Sequence, residues 1–177
     1  MKKLNLLFIA FALVLTGCSS DDDGNAPDIT PDTTDDLVGT WIANDLSIIS
    51  DVTFTLVGQP VETRSEAVSY ATDYNITFNE SSNTYMSTGS YDLENSITFL
   101  GETAIEDLED FEFLENGTWS QDGTDLLISF TEENVTFQIE ELTETNLTIR
   151  LNETETITED GILYTTNTEI IATFTRQ

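Results

Sequence analysis

Apolar residues recur at every second position through five stretches of the chain: Tyr74, Ile76, Phe78; Leu126, Ile128, Phe130; Val135, Phe137, Ile139; Leu147, Ile149, Leu151; and Ile170, Ala172, Phe174. Thr, Asn, Glu or Arg commonly fills the positions between them. A period of two places the apolar set on one face of a pleated strand, so each stretch reads as a half-buried β-strand. The frequent threonines suit an exposed pleat. Turn signals at Asp122 with Gly123, Glu133 with Asn134 and Asp160 with Gly161 sit where hairpins need them. Short strands at about ten-residue spacing imply a largely up-and-down antiparallel meander that closes into a barrel or stacks as a sandwich, closure leaving no free edge. No segment carries a helical period. Glu102 to Asp110 (ETAIEDLED), lying between strand-like runs, reads as a loop.

The first 36 residues obey a different pattern. Lys2 and Lys3 precede ten unbroken apolar residues, Leu6 to Leu15, followed by small residues Thr16 and Gly17, the layout of a secretory signal. Ten is too few for a bilayer span, which needs about 20. Leu15, Thr16, Gly17 and Cys18 resemble the lipobox of bacterial lipoproteins, which implies cleavage before Cys18 and acylation of that cysteine. The alternative is an ordinary signal with an incidental cysteine. Two or three acyl chains, each contributing about 0.8 kcal/mol per buried CH₂, would anchor the chain stably to a membrane. The following run, Ser19, Ser20, Asp21, Asp22 and Asp23, resembles the acidic export signal that sends lipoproteins of Bacteroidetes-type bacteria to the outer face of the outer membrane; a solvated spacer is the plainer reading. Seven aspartates and two prolines between Ser19 and Asp36 leave almost nothing apolar to offset ordering entropy, so the segment reads as a disordered tether. Fully extended it would reach about 60 Å. Its Asp32, Thr33, Thr34 triplet resembles an O-glycosylation site, in a segment where chance matches are common. The chain thus divides into a signal peptide (1–17), a lipidated cysteine with an acidic tether (18–36) and one domain (37–177).

Charge then narrows the chemistry. Without residues 1–17 the chain keeps three basic residues (Arg64, Arg150, Arg176) against 34 acidic ones, a formal charge of −31, and has neither lysine nor histidine. Such a surface repels nucleic acid and anionic headgroups. With Cys18 acylated, no thiol or imidazole remains for nucleophilic triads or ordinary zinc sites, and no phosphate-binding glycine motif is present. Carboxylates, tyrosines and hydroxyls are what is left, so a non-enzymatic role is expected, with no cofactor. Asp122 with Asp125, or Glu106, Asp107, Glu109 and Asp110, supply oxygen ligands but no calcium-loop spacing, and read as solvated surface; no metal site is expected.

The opening LVGTW (Leu37–Trp41) and the stretches TFNESSNTYMSTGSY, NGTWSQDGTDLLISF and IEELTETNLTIRL resemble the lipocalin-like lipoproteins of Bacteroidetes, over nearly all of residues 37–177. The resemblance implies an all-β, up-and-down antiparallel barrel of about eight strands, without the C-terminal helix of classical lipocalins. It further implies that Gly39 and Trp41, then Gly117 and Trp119 with the Asp122–Gly123 hairpin, mark the barrel ends, and that Arg176 packs over Trp41 where first and last strands meet; a frayed terminal residue in water is the alternative for Arg176. Arg150 is a rival partner, but strand parity places it on a polar face. Inward aromatics either line a pocket for a small hydrophobic ligand or fill the barrel solid. Two functions follow: a lipid-anchored outer-membrane lipoprotein, displayed at the cell surface and monomeric, that holds a small apolar ligand; or a structural or surface-interaction lipoprotein with a filled barrel and no small-molecule ligand.

Overall fold

The computed structural model describes residues 37–131 and 133–177. The signal, Cys18, the Ser19–Asp23 run and the rest of the tether lie outside the described residues. Eleven strands follow in order: β1 (Gly39–Leu56), β2 (Gln59–Thr72), β3 (Asn75–Asn79), β4 (Thr84–Thr88), β5 (Tyr91–Phe99), β6 (Glu102–Phe111), β7 (Gly117–Asp122), β8 (Asp125–Phe130), β9 (Glu133–Leu142), β10 (Asn146–Glu159) and β11 (Ile162–Arg176). No helical element lies among the described residues.

Eight of these strands, β1, β3, β4, β7, β8, β9, β10 and β11, pair in that cyclic order, and the antiparallel β11–β1 ladder from Trp41↔Arg176 to Phe54↔Tyr164 closes the ring. The fold is a closed eight-stranded antiparallel barrel. A bulge between Ala43 and Asp45 shifts the register on β1. Trp41 and Ala43 before it, and Leu46 after it, are consequently all buried.

Beyond this ring the wall continues on one side only. The chain switches from β2 to β3 across Asp73 and Tyr74, and from β4 to β5 across Gly89 and Ser90. The two crossings are tied together, because Ser90 N–H donates to Asp73 Oδ1 (2.8 Å) and Asp73 N–H to the Ser90 carbonyl (3.2 Å). A Cβ on Gly89 would lie 2.4 Å from the Asp73 carbonyl oxygen, so only glycine fits there. Above the crossings, β2, β5 and β6 join the far halves of β1, β11 and β10 in a six-stranded sheet of order β10–β11–β1–β2–β5–β6. Its inner face continues the barrel interior, since Leu46, Ala172 and Ile149 stand in one cross-strand row.

Two sequence-based expectations need correction. Glu102–Asp110 is not a loop: it lies in β6, paired with β5 from Phe99↔Glu102 to Tyr91↔Phe111. β6 is the sheet edge and nearly every side chain on it is exposed, so the period-two signature of burial is missing while the backbone ladder is present. Its acidic residues fit an edge that discourages further pairing. Glu133 and Asn134 likewise do not form a turn, because they pair with Phe130 and Ser129 inside the β8–β9 ladder. The left-handed position falls on Thr131 instead (φ 46°).

Three upper hairpins turn through two successive left-handed residues: Val57–Gly58 (φ 50° and 76°), Leu100–Gly101 (50° and 84°) and Asp160–Gly161 (50° and 79°). Two-residue turns of this hand favour Asn or Asp followed by Gly, because a left-handed conformation presses Cβ on the backbone. Val57 and Leu100 violate the preference while being 95% and 74% exposed. Val57→Asn and Leu100→Asn are each predicted to stabilise the domain by about 1 kcal/mol, raising a thermal midpoint by about 3 °C; Asp160→Leu should lower it. Calorimetry checks both signs.

Candidate functional site

At the closing end of the barrel, the Arg176 guanidinium lies 4.2 Å from the centre of the Trp41 ring. Its Nη1 donates to the Val38 carbonyl (2.7 Å), and the Trp41 indole N–H donates to the Leu37 carbonyl (2.8 Å). Gly39 holds φ at +135°, and a Cβ there would come 3.0 Å from Arg176 Nη1. The glycine of the first G-x-W pair is therefore what lets the arginine reach the tryptophan. Gly117 is needed for another reason. Its hypothetical Cβ would sit 2.0 Å from the Ser129 carbonyl oxygen and 3.1 Å from the Tyr85 ring. Trp119, two residues on, is buried edge-on against Phe78 (5.5 Å) and donates its indole N–H to the Asn79 carbonyl (3.3 Å). Arg150 lies on the outer face, paired with Glu140 (2.6 Å) and Glu169 (3.5 Å). The structure thus brings Gly39, Trp41 and Arg176 together at one point, and Gly117 and Trp119 at another.

Between these points the barrel is packed with rings. Tyr74 stacks on Tyr91 (5.1 Å), Phe113 meets both edge-on and also touches Phe137, and Phe78 bridges Tyr85 and Trp119. Trp41, Tyr74, Tyr85, Tyr91, Phe78, Phe137 and Phe174 are all fully buried. Inward aromatics fill this interior.

One seam in the wall is weak. β4 and β7 share only the pairs Thr84↔Thr118 and Tyr85↔Gly117. Above them the Asn116 side chain takes the place of the ladder, its Oδ1 accepting from Ser87 N–H (2.8 Å), while the Ser87 hydroxyl donates to the Leu114 carbonyl (2.5 Å). Behind this seam the Tyr74 hydroxyl lies beside Ser87 and Leu114. The buried hydroxyls of Tyr85 and Tyr91 have no hydrogen-bond partner among the described residues. Burial pushes the ionisation of all three tyrosines well above the usual phenol range; Glu115 adds to it at Tyr85, and Tyr74 and Asp45 at Tyr91.

The inner face of the upper sheet is different. Going up from the barrel, cross-strand pairing places Leu151, Ile170, Ile48, Ala67 and Asn95 in one row; Glu153, Thr168, Ser50, Ser65 and Ile97 in the next; then Glu155, Thr166, Val52, Thr63 and Phe99; and then Ile157, Tyr164, Phe54 and Val61. Hydroxyls form a belt above the barrel core, with Ser65 donating to Asn95 Oδ1 (2.8 Å) and Asn95 Nδ2 to Glu106 (3.1 Å). Above the belt the apolar row resumes, with Phe54 and Tyr164 in ring contact at 5.1 Å. Its members are mostly half-exposed, a platform that a molecule can cover without displacing core side chains. Sequence reasoning passed over this row, although Val52, Phe54 and Leu56 alternate as a strand should. A separate depression of about 390 Å³, open to solvent, lies at the ends of β7, β8 and β9 and is lined by Gly117, Thr118, Ser129, Phe130, Glu133 and Asn134 among others. Among the described residues no group of three or more acidic side chains is placed to hold a metal ion.

A family model described as a lipocalin-like domain matches residues 37–149. No curated protein and no solved structure matches the chain. A lipocalin-like barrel is an architecture suited to small hydrophobic ligands.

Two predictions follow from this geometry. Trp41→Ala should cost roughly 3 to 5 kcal/mol, Arg176→Ala about 1 to 2, and Gly117→Ala about 3, because the clash is with fixed backbone; chemical denaturation measures all three, and an Arg176→Ala loss equal to that of Trp41→Ala would contradict the packing order. The second concerns alkali. An acid whose ionisation is raised by folding keeps its proton in the folded state while the unfolded chain releases it above about pH 10, so stability is full below that pH and falls as pH rises, by about 1.4 kcal/mol per pH unit for each tyrosine. Tyr85→Phe and Tyr91→Phe should leave stability at pH 7 unchanged or higher, and each should flatten the decline above pH 10. A decline of unchanged steepness would show those hydroxyls to be accessible.

Proposed function

Because the chain belongs to the lipocalin-like domain family, we propose that it is an outer-membrane lipoprotein, displayed at the cell surface as a monomer, that holds a small apolar ligand on the inner face of its upper sheet. Cys18 carries the acyl chains, and Ser19, Ser20 and Asp21 to Asp23 direct export. The remaining tether, together with the formal charge of −31 on the whole chain after residue 17, keeps the domain in water and away from nucleic acid and anionic lipid. The role is binding, with no catalytic step. The observation that carries the ligand reading is the row Ile157, Tyr164, Phe54 and Val61, partly exposed at all but the buried Val61, which continues the barrel interior where that interior is no longer filled.

The filled barrel itself favours the second reading, an interaction lipoprotein without a small ligand, and one experiment separates the two. A neutral environment-sensitive dye such as Nile red should bind the Cys18→Ala chain and be displaced by apolar molecules. Phe54→Ser with Tyr164→Ser should abolish that binding, and Tyr85→Phe should leave it intact. Absence of dye binding together with failure of a broad lipid panel would favour the interaction reading. For the anchor, radioactive fatty acid should label the wild-type chain and not Cys18→Ala, and protease shaving of intact cells should lose its effect when Asp21, Asp22 and Asp23 are replaced by asparagine. Label on Cys18→Ala would rule out that attachment point.

A further inference from the structure

The ligand reading above leaves the class of molecule open, and the distribution of charge on the upper sheet narrows it. In an antiparallel ladder, residues directly opposite one another stand on the same face. Starting from the inner row of Leu46, parity therefore places Glu102, Glu106, Glu153, Glu155 and Glu159 on the inner face, opposite Phe99, Asn95, Thr168, Thr166 and Ile162 respectively. The same rule places Arg64, opposite Asp51, and Arg150, opposite Ile171, on the outer face. There Arg64 meets Asp51 at 2.9 Å, and Arg150 has its own two carboxylates. Arg176 is at the far end of the barrel against Trp41, and no lysine follows Lys3. The inner face of the upper sheet thus carries five carboxylates and no cation.

The carboxylates are placed to matter. Glu155 and Glu159 flank Ile157 on β10, two residues away on either side, about 7 Å along the strand. The apolar row Val61, Phe54, Tyr164, Ile157 therefore ends between two negative charges at the open edge of the sheet. An extended alkyl body lying along this row would bring its end group to that edge.

Resting on the ligand reading, we propose that the occupant is a cationic amphiphile: an apolar body bearing an ammonium or guanidinium group, with Glu155 and Glu159 facing the charge and the hydroxyl belt of Ser50, Thr168 and Thr166 beside the body. A fatty-acid carboxylate would instead bring a third negative charge to the same edge, with no basic side chain on that face to receive it.

The test uses the Cys18→Ala chain and three probes of one chain length, decylammonium, decanol and decanoate, each below its micelle-forming concentration and measured by displacement of Nile red. Decylammonium is expected to bind about tenfold more tightly than decanol at low salt, and decanoate more weakly than decanol, with the spread narrowing as salt screens the charges. Glu155→Gln with Glu159→Gln should remove the ammonium advantage and leave decanol unchanged. Glu62→Gln with Glu94→Gln, on the outer face, should leave the advantage in place. Decanoate binding as tightly as decylammonium would overturn the proposal while leaving the ligand site standing. An ammonium advantage untouched by the β10 pair, or reduced equally by the outer pair, would show attraction to the net charge alone and overturn it too. Failure of all three probes to bind would defeat the ligand reading itself, and this proposal with it.

Discussion

The β1–β11 ladder is the constraint on which the rest of the molecule depends. It joins residues more than a hundred positions apart, runs from Trp41↔Arg176 to Phe54↔Tyr164, and serves both parts of the structure. Its lower rungs close the barrel and its upper rungs build the centre of the open sheet. Closing so long a loop is entropically costly, and side chains at the lower end offset that cost locally: the indole under the guanidinium, and the glycine that leaves room for it. The ladder also sets which face is inward. One bulge at Asn44 restores the parity between Trp41 and Leu46, so barrel core and upper inner face form one continuous surface.

That continuity divides two tasks within one wall. The closed half buries eight large aromatic residues to a few per cent exposure or less, leaving stability to ring packing and little room for a guest. The open half has the same sheet with one side uncovered, and its rows alternate between hydroxyl-rich and apolar. A guest bound there, as proposed, would cover half-exposed side chains and displace none of the core, which would separate binding from folding. The unpaired Tyr85 and Tyr91 hydroxyls are the exception within the core. Buried polar groups without partners cost roughly 1 to 3 kcal/mol each, and the substituted ladder at Ser87 and Asn116 lies beside the same region.

What the sequence revealed and what it hid follow from burial on one face. The runs around Phe78, Ile128, Phe137, Ile149 and Ala172 lie in barrel strands with one side in the core, so their alternation was plain. β6 and the upper half of β10 are exposed on both sides, and their hydrogen bonds leave no mark on the choice of side chains; ETAIEDLED therefore resembled a loop. Turns at Asp122–Gly123 and Asp160–Gly161 were legible because the left-handed positions fall on Gly123, Gly161 and Asp160, residues that tolerate that backbone. Val57–Gly58 and Leu100–Gly101 were not, since aliphatic residues occupy that position against preference. The G-x-W pairs were visible as letters, but their two different steric reasons required coordinates: an arginine over Gly39 and a neighbouring carbonyl over Gly117. The upper apolar row escaped notice because its four members come from four strands and meet only through the register.

The proposed ligand site on the upper sheet is the centre of this account, and side-chain nuclear magnetic resonance during titration with decanol tests it most directly. The account predicts shifts at the methyl groups of Val61 and Ile157 and the rings of Phe54 and Tyr164, with Phe78, Tyr85 and Trp119 unmoved. Shifts confined to Phe78, Tyr85 and Trp119, with the upper row silent, would put the guest inside the barrel and contradict it.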